Sequence, residues 1–465
     1  MTEEERRDTP QTETAAKENT QEPETLRVIP DTAFMREQIK QRPVNRRKLL
    51  RRTFITVLLA VLFGVVATFT FSLLEPAFNR LLNPETETEP APDPVVLVEA
   101  PAEEEVPPEA LIREESEMFH EGEQPDVEEV LDQYVFDRTD YAEMVQSMKE
   151  IALTASRSLV TITGVSSETG WSGDALLTSD TTSGLILSDN GRSLIILTDR
   201  EAIREAEHLS VTFSDGTVAE GTYLSGDETT ALAVITVPLT ALSQEQRENM
   251  PPATLGRSTI NSLIGQPVIA IGEPDGLAGS IMYGAVTNNV RVLMLPDGNV
   301  RLLSTDMPAR AEANGVLINL RGEVIGFGTP HFNRLSQEDA PGQMHYVGIS
   351  DIRSLAEHLS NGKARVSLGV YCAEVPADIR TSAEIPQGAF VSRIELNSPA
   401  MTGGIQSGDI ITKLGETDIL NEATLSQALL EYAPEDTAAV LLLRPAAEGY
   451  TEVETEVVLG TTETE

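Results

Sequence analysis

The chain has 465 residues, 40% of them hydrophobic, and a formal net charge of -40, a length that exceeds what one hydrophobic core normally serves and so implies more than one domain. Acidity on that scale repels phosphate backbones and excludes nucleic acid as a partner. The single cysteine, Cys372, can close no intrachain disulfide, and the five histidines lack metal-ligand spacing, so neither a metal centre nor a cofactor is expected.

Residues 1–52 are polar and read as a disordered cytoplasmic arm. Residues 53–74, TFITVLLAVLFGVVATFTFSLL, form an uncharged apolar run that as a helix spans roughly 33 Å, enough for one transmembrane helix. It starts late, is long for a signal-peptide core and lacks a small-residue cleavage motif before Glu75, which favours an uncleaved anchor over a signal peptide. Arg46, Arg47, Lys48, Arg51 and Arg52 flank its N-terminal side, so the positive-inside rule gives a single-pass cell-membrane protein with a cytoplasmic N-terminus and extracytoplasmic C-terminal domains.

Residues 75–140 alternate proline with glutamate (PETETEPAPDP, EEEVPPE) and read as an extended, solvated stalk. From Tyr141 the chain turns to short β-branched runs between turn residues: SLVTITG, TSGLILSDNG, SLIILTD, LSVTFSDGT, ALAVITVP, PVIAIGEPDG and GVLINLRGEVIGFG. Many short strands at regular spacing predict a β-barrel or sandwich over 141–362, with turns at Asp189-Asn190-Gly191 and Ser214-Asp215-Gly216. A helix from Ser350 to about Leu359, capped by Ser350, closes it. A small α/β unit follows over 363–460, with strands near GAFVSRI and AAVLLLR and a helix near Glu422 to Leu430.

These segments resemble the HtrA/Deg family of trypsin-like serine proteases, collinearly and over nearly the whole part beyond the stalk. TSGLILSDNGRSLIILTDREAI, VTFSDG and DETTALAVI resemble the family's first-barrel blocks, and LGRSTINSLIGQPVIAIGEPDGLAGSIMYGAVT and VLINLRGEVIGFGT resemble its second-barrel blocks. HYVGISDIRSLAEHLSNGKARVSLGV resembles the passage into a PDZ domain, and NSPAMTGGIQSGDIITKLG a PDZ turn. The resemblance implies a mostly β fold: a trypsin-like double β-barrel followed by a small PDZ domain.

It also implies where the catalytic residues should stand. The family's histidine falls at Glu201, its aspartate at Ala231 and its nucleophilic serine at Ala313, and its oxyanion turn GNSGG falls on Ala311, Glu312, Ala313, Asn314 and Gly315. Acyl transfer by this route requires a nucleophile, an imidazole base and a carboxylate to orient it. None of the three residues present can play its part, so the chain is expected to be a pseudoprotease. No serine lies between Asp306 and Gly328 to rescue a shifted register, and His208 stands seven positions beyond the expected site. GWSGD at 170–174 mimics a nucleophile turn but sits where the family has a variable loop.

The PDZ unit keeps more of its parts. Ser367-Leu368-Gly369-Val370 matches the carboxylate loop, whose backbone N–H groups would receive a peptide's C-terminal carboxylate. Leu425, Ala428 and Leu429 share one helix face and read either as the pocket for a ligand's apolar C-terminal side chain or as core. Cys372 reads as a small buried hydrophobe. The expected partners are peptides or protein C-termini, with the chain acting as scaffold, adaptor or sensor. An inactive subunit of an HtrA-type assembly, docked through Tyr134, Phe136 or Tyr141, is the alternative, and a peptidase with a relocated nucleophile a third.

Overall fold

A computed structural model describes residues 92–100, 136–169, 175–259, 261–308, 310, 312–337, 342–447 and 449–462, all within the compact unit Pro90–Glu465. The arm and the apolar run 53–74 lie outside these residues, as do the GWSGD loop, Tyr134 and Ala311. Among the described residues no helix is long and apolar enough to cross a membrane.

Six antiparallel strands close the first barrel in the order β1-β2-β3-β6-β5-β4: β1 (Leu159–Thr169), β2 (Ala175–Asp189), β3 (Ser193–Asp199), β4 (His208–Phe213), β5 (Val218–Asp227) and β6 (Leu232–Pro238). Ile162, Ile186, Ile196, Val211 and Ile235 fill its interior. The two turns expected from sequence are present: Asp189 accepts the Gly191 N–H at 2.8 Å, Asp215 accepts the Thr217 N–H at 2.8 Å, and both glycines take positive φ.

The second barrel, β10-β11-β12-β9-β8-β7, is built from β7 (Pro267–Glu273), β8 (Ser280–Leu295), β9 (Gly298–Pro308), β10 (Asn314–Ile318), β11 (Val324–Gly328) and β12 (Gln343–Gly348). Closing each sheet on itself removes its exposed edges. A further apolar layer lies between the barrels and joins Leu185, Leu197 and Leu232 to Ile269, Ile271 and Val316, with Ile352, Ala356 and Leu359 of the Ile349–Ser360 helix packed on it. That helix leads into the last unit. There β14 (Val370–Ala373), β15 (Ala389–Ile394), β16 (Ile410–Leu414), β18 (Thr437–Ala446) and β19 (Gly449–Val458) form a sheet, with short β17 (Thr417–Asp418) paired to β16 and the Glu422–Leu429 helix flanking it. Short β13 (Val366–Ser367) pairs with β20 (Gly460–Thr461).

Three expectations are corrected. First, the stretch read as a solvated stalk over 75–140 is docked at residues 93–100. Val95 and Asn361 exchange two hydrogen bonds of 3.0 Å, Leu97 N–H donates to Glu357 at 3.1 Å, and Ala100 N–H donates to the Leu255 carbonyl at 2.7 Å. Val95 and Leu97 are 3% and 5% exposed while Val96 and Val98 are 65% and 73% exposed, the in–out alternation of a half-buried strand. Second, a helix, Arg138–Ala155, crosses the boundary placed at 140/141; Asp137 and Asp140 form a reciprocal capping box at its start. Third, Ser350 does not cap its helix. It exchanges hydrogen bonds of 3.0 and 3.1 Å with Ser258 and donates its hydroxyl to Glu99 of the docked segment.

Candidate functional site

Glu201 lies in the turn after β3. The N–H of its neighbour Arg200 donates to the Ala231 carbonyl at 2.8 Å, which ties this turn to the residue heading β6. Ala231 is buried and has φ 53°, a left-handed conformation that aspartate or asparagine tolerates better than alanine. From the second barrel the Pro330–Gln337 helix reaches across: Arg334 pairs with Glu201, His331 Nδ1 lies 3.1 Å from Glu201 Oε1, and Asn333 Nδ2 donates to the Ala313 carbonyl at 3.0 Å. Hydrogen bonds through Arg200 and this helix thus link the surroundings of Glu201, Ala231 and Ala313.

What gathers there is an ion pair over a closed apolar floor. The Ala313 side chain is 0% exposed and packs in the second-barrel core with Leu263, Met307 and Tyr346. Its N–H donates to the Arg310 carbonyl at 3.2 Å, so it is engaged within the turn, and Glu312 beside it is exposed. Next in the chain, Asn314 is buried between the barrels: its Oδ1 accepts the Ser183 N–H at 3.1 Å and its Nδ2 donates to Thr182 and Glu273 at 3.2 and 3.1 Å. Gly315, at φ 117°, lies so close to Ile271 that a Cβ would strike its carbonyl oxygen.

Burial alone would raise the Glu201 carboxyl, but hydrogen bonds from Arg334 and His331, reinforced by their charges, outweigh it and hold the group below the ordinary carboxylate range. Burial pushes Asp199, two residues earlier, up to about 7; the Glu201 N–H opposes this, and the charge on Glu201 adds to it. Burial also raises Glu273 against its bond from Asn314, and Glu273 Oε1 is buried without a hydrogen-bond partner. No group of three or more His, Cys, Asp or Glu side chains suited to a metal occurs among the described residues.

In the last unit the backbone of Leu368, Gly369 and Val370 forms the loop expected from sequence, with Gly369 at φ 82°. Its three N–H groups converge on one carboxylate, that of Asp297 in the β8–β9 turn, at 2.8–2.9 Å. Arg365 Nη2 donates to the Asp297 carbonyl at 2.9 Å, and Arg365 Nη1 pairs with buried Asp227 at 3.3 Å. Burial raises the Asp297 carboxyl; Arg365 and the loop N–H groups oppose the rise without cancelling it.

The helix face expected to line a pocket is corrected to core. Leu425, Ala428 and Leu429 are buried among Val370, Val391 and Val440, because the 3.6-residue repeat sets this stripe against the sheet. Glu422, Ala423, Ser426 and Gln427 face instead a cavity of about 470 Å³ walled by Glu374, Arg301 and Asp351. Cys372 is buried, as read from sequence, and its thiol is pushed up to about 12 by burial and the nearby Asp297 charge. Sequence reasoning missed Asp297, Arg365, His331 and Arg334. Pro296-Asp297-Gly298 is a legible turn, but nothing local signals its partner.

A family model described as a trypsin-like peptidase domain matches residues 182–327. HhoA of Synechocystis sp., named as a serine protease, is 30% identical over 279 residues, covering 56% of this chain and 67% of that protein. The serine endoprotease DegS of Haemophilus influenzae is 28% identical over 273 residues, covering 58% of this chain and 75% of that protein. HhoB of Synechocystis sp. is 30% identical over 269 residues, and the chain spans 61% of its length. Among solved structures the HtrA-type protease AlgW with decapeptide is weakly similar, at 17% identity and TM-score 0.45, covering 68% of this chain and 99% of that one. With two closed six-stranded barrels followed by a PDZ-type unit, the chain belongs to the HtrA/Deg family of trypsin-like serine proteases.

Proposed function

We propose that this chain is a catalytically inactive HtrA-family protein, anchored in the cell membrane with its folded domains outside, that binds peptides or protein C-termini through its PDZ-type unit as a scaffold, adaptor or sensor. The observation that carries the loss of catalysis is the burial of Ala313: the position corresponding to the nucleophile is a methyl group in the barrel core. Two further features support it. Glu201 is a carboxylate engaged by Arg334 and His331, so the position corresponding to the base supplies no imidazole of its own to take a proton. Ala231 offers no carboxylate to orient one, although its backbone keeps a conformation that suits aspartate. Removing triad residues from other serine peptidases costs roughly a million-fold in turnover.

Peptide binding is supported by the loop at 368–370, whose three N–H groups already hold a carboxylate in the manner of a PDZ domain holding a chain terminus. The test is fluorescence polarisation of the purified full chain with a library of peptides, each made as free acid and as C-terminal amide, up to millimolar concentration. Saturable binding of free acids that is lost on amidation supports the reading; equal binding of both forms, or no binding of either, refutes it.

A second reading, an inactive subunit of an HtrA-type assembly, is favoured by Phe136, Tyr141 and Met144, which leave a large apolar surface exposed around the start of the Arg138–Ala155 helix. Co-purification of active HtrA-type protomers that is lost on Tyr141→Asp would establish it; an unchanged mixed complex would remove this surface from consideration.

A further inference from the structure

We propose that Asp297 is an internal ligand of the PDZ-type unit: its side chain occupies the carboxylate loop in place of a peptide terminus, so the groove opens only when the β8–β9 hairpin withdraws. The inference rests on the peptide-binding reading above and adds the element that regulates that site. Asp297 Oδ1 accepts the N–H groups of Gly369 and Val370, each at 2.9 Å. Asp297 Oδ2 accepts those of Leu368 and Gly369 at 2.9 and 2.8 Å. Charge-assisted bonds of this kind are roughly twice as strong as neutral ones.

The mimicry extends beyond the carboxylate. Asp297 N–H donates to the Val370 carbonyl at 2.8 Å, and Asn299 Nδ2 donates to the Cys372 carbonyl at 3.0 Å. The hairpin tip therefore engages alternate carbonyls of β14, the spacing used by a peptide that adds a strand to a sheet. The chain holds Asp297 at φ 61°, an unfavourable backbone for most residues, and such strain concentrates at clamps and switches. A peptide carboxylate and the Asp297 carboxylate need the same N–H groups and exclude each other.

Beside the hairpin lies the cavity lined by Asp351, Glu374 and Glu422 together with Arg301, Arg365 and Arg380.

The experiment uses the full chain as wild type, Asp297→Asn and Gly298→Val. Asparagine tolerates the backbone conformation and keeps one acceptor oxygen, but turns an amide N–H₂ towards the loop donors. The valine keeps the aspartate and wedges the hairpin, since even a Cβ at position 298 would meet Ser426 Oγ at 2.8 Å. The probes are a peptide with a free C-terminal valine, its C-terminal amide, and amide hydrogen exchange at Leu368, Gly369 and Val370. Both variants are expected to bind the free acid at least tenfold more tightly than wild type, to ignore the amide, and to exchange the three amides at least tenfold faster. Equal affinity with unchanged exchange in all three proteins overturns the internal-ligand proposal. Faster exchange in the variants without binding of any peptide upholds the plug and instead overturns peptide binding.

Discussion

Asp199, two residues before Glu201, should make stability depend on pH in a direction opposite to that of an ion-paired carboxylate. Burial raises its folded-state value to about 7 from 3.8. The folded state therefore keeps a proton that the unfolded state has lost across this interval, and stability falls as pH rises through it. A separation of about three pH units, at about 1.4 kcal/mol per unit, gives a loss of about 4 kcal/mol, complete above pH 7. Asp199→Asn keeps the oxygen that accepts the Glu201 N–H at 3.0 Å while removing the ionisation. Urea unfolding of wild type and variant at pH 4, 6 and 8 isolates this group from the other carboxylates. The two proteins should be nearly equal at pH 4, and the variant should be more stable by several kcal/mol at pH 8. A stability difference independent of pH would refute the reasoning.

Other outcomes follow from contacts in the fold. Burial alone would raise Asp227, but Arg365 and the Thr230 hydrogen bonds hold it below its ordinary value. Arg365→Met strands this buried charge and should cost about 3–5 kcal/mol, measured as a shift of the denaturant midpoint. Leu97→Ala removes a buried side chain from the docked segment and should cost about 2–4 kcal/mol, whereas Val98→Ala, exposed one residue later, should be close to neutral. Cys372 should resist a maleimide at pH 8 in the native chain and react within minutes in denaturant, because its buried thiol is pushed up to about 12.

Much of this was legible in the sequence because the responsible physics is local. β3 is the run SLIILTD read directly as a strand, and β7 begins the PVIAIGEPDG run; both are β-branched segments bounded by turn residues. β9 was not read from sequence and β8 entered only through the family resemblance; in β8, Asn288 and Asn289 interrupt the apolar pattern where the pairing register shifts. The docked segment left a signal that its setting concealed: Val95 to Val98 is a four-residue apolar island among prolines and acids, and composition outweighed periodicity. The proposed loss of the triad rests on what chemistry demands and what the side chains of Glu201, Ala231 and Ala313 do not supply. Occupation of the carboxylate loop was not legible, because Asp297 and Gly369 are 72 residues apart in the chain and meet only when the second barrel and the last unit pack together. For Leu425, Ala428 and Leu429, one helical face fits a pocket or a core equally well, and only the position of the sheet decides between them.

The most direct test of the proposed absence of peptidase activity is turnover of unfolded casein by the purified full chain, beside Ala313→Ser as a control. Neither protein should cleave casein above a blank while native circular dichroism is retained, since a hydroxyl at position 313 would enter the barrel core rather than the solvent. Cleavage that persists through purification and is blocked by a serine-reactive phosphonate would contradict the account and place a nucleophile elsewhere in the chain.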